Sequence, residues 1–287
     1  MSPARRGGWL LGVAWALAAL SGCTALQLGY NNADSLIHWR AGRYFGFEGE
    51  QKADFERRVQ RFLGWHRKTE LPHYATLANG LGDRLAHGIA LADLVWGYDS
   101  FQTLLRQTLH AAAAESGDLL DALTPVQVER FQTRLAKENR DFAKDQELAD
   151  APGERRAKRV RRNIERLEDW FGALTDAQIE RVRQYSASAP LDDVLRDQDR
   201  KRMQRELVGM IKAKEAHRKL VPWAIAWDQN RDPAYETLRK ENLREYFSML
   251  LDLDKTLSTE QRNRAVQRLR GFAGDFNALV AAAEGLR

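Results

Sequence analysis

The chain has 287 residues, and 39 Ala and 37 Leu stand against 12 Val and 6 Ile, a ratio that excludes a sheet protein because strands draw on β-branched and aromatic residues. Charged residues make up 30% and hydrophobic ones 44%, with a net charge of +5, which excludes a disordered tail and a polytopic membrane protein. The single cysteine excludes a disulfide framework and a Cys-rich zinc site.

Residues 1–22 read as a targeting unit. Arg5 and Arg6 form a positive n-region, and Trp9 to Leu20 is an apolar run, shorter than the roughly 20 residues needed to span a bilayer. Leu20-Ser21-Gly22-Cys23 resembles a bacterial lipobox, which implies acylation of Cys23. Several acyl chains, at about 0.8 kcal/mol per buried CH2, make such an anchor permanent. Thr24 differs from the aspartate that resembles an inner-membrane retention signal, so the expected place is the periplasmic face of the outer membrane. Removing residues 1–22 takes two of the 45 basic residues and none of the 40 acids, leaving 43 against 40. Nothing in that balance calls for nucleic acid. Residues 23–287 are expected to form one periplasmic helical domain.

The next informative stretch is 30–73. Tyr30-Asn31-Asn32-Ala33-Asp34 is followed by Trp39 and then by Trp65-His66-Arg67-Lys68-Thr69-Glu70-Leu71-Pro72-His73. His66, Glu70 and His73 are spaced for one helix face, and two imidazoles with a carboxylate suit a divalent metal. Pro72 disfavours helical geometry at Leu71, so the preferred reading is a corner between two helices and no metal site. In that corner Trp65 packs on the core, Arg67 and Glu70 pair or cap, and Pro72 opens the next helix. Trp65, His66, Arg67 and Glu70 remain candidates for contact with a partner.

A second device recurs downstream. Leu123-Thr124-Pro125-Val126-Gln127, Leu174-Thr175-Asp176-Ala177-Gln178 and Leu257-Ser258-Thr259-Glu260-Gln261 share one form, and Phe47-Glu48-Gly49-Glu50-Gln51 is a degraded copy. Each complete copy has the chemistry of a capping box, in which the hydroxyl accepts from the N3 amide and the N3 glutamine accepts from the cap amide. Thr124-Pro125 and Asp232-Pro233 also place a cap residue before a proline at the first helical position.

These motifs carry two resemblances. The LTxxQ form is similar to that of small periplasmic helical chaperones of the Spy and CpxP type, which implies binding of unfolded clients. The YNNAD and WHRxxELP pieces, with a closing LTxxQ helix, resemble an uncharacterised family of proteobacterial lipoproteins. That resemblance implies an anchored helical periplasmic protein and no known activity.

Helical periodicity fills the remainder. Val128, Phe131, Leu135 and Phe142 share one face, as do Val266, Leu269, Phe272 and Phe276. In 157–171 the predicted buried stripe is Ala157, Val160, Ile164, Leu167 and Phe171. Pro222 falls inside a helical stretch and is expected to break or kink it near Val221. The run 154–162 holds six positive groups and one acid, and Arg155, Arg156, Arg159 and Arg162 are candidates for an anionic partner. Substituting Arg155, Arg159 and Arg162 is expected to leave folding intact. Trp223 and Trp227, Tyr235, Tyr246 and Phe247 read as packing.

The fold expected from these elements is all-α, an elongated bundle of amphipathic helices after a lipoprotein signal peptide. No nucleophile-and-base set or cofactor motif is legible, so catalytic residues, cofactors and metals are all expected to be absent. The expected function is non-catalytic docking to an unknown envelope protein. A chaperone for unfolded clients is the alternative, and a metal-binding protein or hydrolase ranks after it.

Overall fold

The computed structural model describes residues 24–284. The expected signal peptide, its lipobox and Cys23 lie outside the described residues. The helices are α1 (Ala25–Asn31), α2 (Ala33–Tyr44), α3 (Gly49–Trp65), a π-helical turn (His66–Glu70), α4 (Leu71–Ala86), α5 (Leu91–Asp121) and α6 (Pro125–Asp145). They continue with α7 (Pro152–Phe171), α8 (Asp176–Ser188), α9 (Asp193–Lys212), α10 (Ala216–Ile225), α11 (Pro233–Asp254) and α12 (Thr259–Glu284). Among the described residues there is no strand. The architecture is an all-α multi-helix bundle.

Among the described residues the bundle is held by three separate apolar clusters. In the first, Phe131 of α6, Leu120 of α5, Ile211 of α9 and Leu220 of α10 close around Phe47 and Leu123. In the second, Leu167, Val182, Met249 and Leu253 join α7, α8 and α11. The third is small: Ala75 and Ala78 of α4 lie against Ala273 of α12, a short-residue seam that brings the two helices close. The stripes of α6 and α12 face inward as their spacing predicts, with Val128, Phe131, Val266 and Ala273 buried.

The 31 residues of α5, about 46 Å at 1.5 Å per residue, form the spine. Its C-terminal end receives α10 at close range, and a Cβ on Gly117 would stand 2.9 Å from Cα of His217. Asp121 at the end of α5 accepts from the amides of Ala216 (2.8 Å) and His217 (3.0 Å). Glu215, the N-cap residue of α10, makes no capping bond of its own, so a carboxylate from a neighbouring helix satisfies that helix start.

All three complete LTxxQ copies are capping boxes. Gln127, Gln178 and Gln261 donate their amides to Thr124, Thr175 and Ser258 at 3.3, 3.3 and 3.1 Å, and each side-chain carbonyl accepts from the cap amide at 3.0 Å. The spare amide of each glutamine then links two helix starts. Gln178 and Gln261 bond each other through side-chain amides at 3.0 Å in both directions, and Gln261 also donates to the carbonyl of Ala173 at 2.8 Å. Gln127 donates to Gln51 at 2.7 Å. The degraded copy therefore keeps the pairing glutamine although its cap residue, Glu48, makes no side-chain capping bond.

Two expectations are corrected. Pro222 does not break α10, which continues to Ile225. The proline stands in the final turns, where it removes a single ladder bond. The stripe of α7 holds from Val160 to Phe171, with Leu167 buried and Ile164 and Phe171 packed on the second cluster, but at its start Ala157 is exposed and Arg155 is buried.

Removing Gln178 leaves the amide group of Gln261 short of a partner in a buried place. Gln178→Ala is expected to lower the unfolding free energy by about 1–3 kcal/mol. Gln127→Ala, in a half-buried pair, is expected to cost about 1 kcal/mol. Urea denaturation of the two variants beside the parent measures both. Equal costs would show that the buried amide pair adds nothing beyond its caps.

Candidate functional site

The segment Trp65–Glu70 is not a corner. It joins α3 to α4 without leaving helical backbone, and the amide of Leu71 reaches the carbonyl of His66 five residues back. The cause lies at Pro72, which has no N–H to give to the carbonyl of Lys68, so the preceding turn widens by one residue. The widened turn distributes its side chains around the rod. His66 and Arg67 face α1, Lys68 and Trp65 face a groove against α5, and Glu70 points inward with 2% of its surface exposed.

On the α1 side the two sequence motifs meet. The hydroxyl of Tyr30 is 2.9 Å from Nδ1 of His66, and Arg67 donates to the side-chain carbonyl of Asn31 at 3.0 Å. The Arg67 guanidinium also lies 5.1 Å from the centre of the Tyr30 ring, within cation–π range. Gln27 adds a bond of 2.8 Å to the buried Asp275 of α12. YNN and WHR are thus two halves of one clamp that fixes α1 to the body. The pairing expected between Arg67 and Glu70 is absent, because Arg67 is committed to α1. Glu70 has a buried carboxylate oxygen without a hydrogen-bond partner.

The two histidines do not converge. His66 lines a cavity of about 390 Å3 beneath α1, with Tyr30, Tyr74 and Phe276. His73 lines another of about 520 Å3 between α4 and α5, with Trp96 and Asp99. Among the described residues no group of three His, Cys, Asp or Glu is placed to hold a metal ion.

Trp65 does not pack in the core as expected. It is half-buried on the wall of an open groove of about 770 Å3 between α3 and α5, which also includes Phe62, Lys68, His110, Ala111 and Ala114. Glu115 at the rim is held by Arg61 through two hydrogen bonds of 3.2 and 2.8 Å. This groove and the clamp were missed in the sequence. The 36-residue separation of YNN from WHR was visible, but nothing local says that they touch.

The expected basic face at 154–162 is corrected. Arg159 turns inward and donates to the carbonyls of Ser186, Ala189 and Pro190 at 2.5–2.9 Å, closing the C-terminal end of α8. Arg155 is buried and pairs with Asp193 at 2.8 Å. Lys158 binds Glu147 and Asp150 across the α6–α7 turn. Arg156 is half-buried with its Nε unpartnered. Arg162 and Arg161 remain exposed. Charge reversal at Arg155 and Arg159 therefore removes internal ties, and the expectation that it spares folding does not hold.

With fold and geometry in view, the comparisons place the chain. It is an all-α helical protein whose residues 43–228, more than half of its length, match the model of a family of unknown function, DUF6279. The chain belongs to that family. No curated protein and no solved structure matches it. The matched range contains His66, Arg67, Glu70 and the groove, while Tyr30 and Asn31 precede it.

Burial sets the titration of this segment. Burial pushes the Glu70 carboxyl above its ordinary range, against a smaller opposing pull from His73, and burial lowers the His66 imidazole. A carboxyl with a raised folded pKa stabilises the fold only while both states are protonated, and that relative advantage is lost as pH rises through the folded pKa. Relative to the parent, Glu70→Gln is therefore expected to gain stability as pH rises from the ordinary carboxyl range through the raised folded pKa, and to keep a constant advantage above it. Urea midpoints across that range test it. Parallel curves for the two proteins would show that the Glu70 carboxylate is stabilised in the fold by a group that offsets its burial.

Proposed function

We propose that this chain is a lipid-anchored, non-catalytic binding module of the cell envelope, tethered through Cys23 to the periplasmic face of the outer membrane. The observation that carries the binding role is the groove between α3 and α5. Its wall offers an aromatic anchor, Trp65, beside Phe62 and the small side chains Ala111 and Ala114, with Lys68, Arg61 and Glu115 at the rim. An apolar centre containing tryptophan and a charged margin is the anatomy of a protein-docking patch. Glu115, the one carboxylate among the lining residues, is engaged by Arg61, which favours docking over chemistry. The anchor rests on the lipobox. In two LTxxQ copies the glutamines lend no surface to a client-binding role, since Gln178 and Gln261 are spent in a buried pair.

Two experiments test this reading. Labelled palmitate is expected to enter the parent protein and not Cys23→Ala; equal labelling of both would remove the anchor. A photo-crosslinking residue at the exposed Ala114 is expected to give one discrete adduct in intact cells. Trp65→Ala should weaken that capture by about tenfold, as loss of a central aromatic does, without a matching loss of melting temperature. A broad ladder of adducts would favour unfolded clients, and no adduct would dismiss the groove.

A further inference from the structure

The N-terminal pair α1–α2 carries an outward face that the bundle does not cover. The inner side of α2 is used: Ala41 is buried, and Tyr44 and Phe45 pack on the first core. On the opposite side Leu36 and Trp39 are each 57% exposed, and Leu28 of α1 is 54% exposed. Arg40 and Arg43 are exposed beside them, and the Arg43 guanidinium lies 4.7 Å from the centre of the Trp39 ring. At 3.6 residues per turn, Leu36, Trp39, Arg40 and Arg43 fall within about 100° of arc. Asp34 lies about 160° round from Leu36, so that arc holds no acid. Elsewhere on the neighbouring α6, Glu138 is 3.9 Å from Arg40 and is also bound by Arg134 at 3.2 Å.

We propose that this face is a membrane-contact surface, seated in the headgroup region of a phospholipid bilayer, so that the body lies flat on the membrane. The occupant follows from place and composition. The inference rests on acylation of Cys23, and Trp39 is 16 residues beyond it, within about 24 Å of the lipid attachment point if helical throughout. Tryptophan, leucine and arginine, with a single acid at the margin against Arg40, are a set that settles at a lipid interface, with the ring at headgroup depth and guanidinium groups on anionic phosphates. Among the described residues no helix is long and apolar enough to cross a membrane, which fits a helix lying in the interface plane. The Tyr30–His66 and Arg67–Asn31 bonds hold α1 against the π-helical turn. Asn32 closes α1, its amide donating to the carbonyl of Leu28 at 3.2 Å, and its carbonyl takes the first ladder bond of α2 from the amide of Leu36 at 3.1 Å. The clamp therefore ties the helix that leads into this face to the same turn that contributes Lys68 to the groove between α3 and α5.

Acylation occupies the sole native cysteine, so an introduced one can be labelled alone. The acylated full chain carrying a nitroxide at Leu36→Cys is reconstituted in phosphatidylcholine–phosphatidylglycerol vesicles and compared with a label at Val126→Cys, a position 74% exposed on α6. At position 36 the ratio of collisions with oxygen to collisions with an aqueous nickel complex is expected to exceed that at 126 severalfold. With the label moved to Arg43→Cys, adding Leu36→Glu and Trp39→Glu is expected to return the ratio to the aqueous value while circular dichroism and flotation stay unchanged. Flotation and the acyl mass read the anchor separately. Acylated, floating protein with an aqueous label at 36 overturns the membrane face and leaves the anchor standing; unacylated protein that stays off the vesicles overturns both. Spin–spin broadening at 36 would mark a second copy of the chain on this face and would also overturn the inference.

Discussion

A helix leaves its first amides without partners, and a bundle with three modest cores cannot hide them. This chain meets that constraint by making the solution serve as a joint. The glutamine that closes each capping box has one carbonyl and one amide group; the carbonyl accepts from its own cap, and the amide reaches another helix start. Gln178 and Gln261 thereby lock the beginnings of α8 and α12 to each other, and Gln127 with Gln51 does the same for α6 and α3. Both pairs tie segments far apart in sequence. They fix which helix starts lie side by side, within a bundle held by apolar burial.

The same economy governs the charged side chains. Arg159 closes the carbonyl end of α8, Asp121 closes the amide end of α10, and Lys158 spans the turn between α6 and α7. Elsewhere Arg231 and Arg239 hold the Glu236 carboxylate, which they lower to about 2. A run of arginines in the sequence is therefore a poor sign of an anion-binding surface in this fold, because helix ends draw the cations inward.

The π-helical turn organises function around the same rod. Widening by one residue sends His66 and Arg67 to the N-terminal helix, Trp65 and Lys68 to the open groove, and Glu70 to the interior. A regular α-helix would have kept His66 and Glu70 on one face. The proposed docking groove and the proposed membrane face are thus mechanically linked through five consecutive residues, with the buried Glu70 carboxyl between them.

The sequence by itself determined the helical class, the three capped helix starts at Thr124, Thr175 and Ser258, and the inward stripes of α6 and α12. These rest on local physics: propensity, hydroxyl-to-amide reach within four residues, and the 3.6 period. Only the tertiary structure decided what the spare glutamine amides bind, which arginines turn inward, and that YNN meets WHR. It also decided that Pro72 widens a helix where a break was expected, since the surrounding contacts with α1, α5 and α12 keep the backbone helical through the lost hydrogen bond. Long-range pairing leaves no periodic trace in the chain, and a polar side chain reads the same whether water or a distant carbonyl satisfies it.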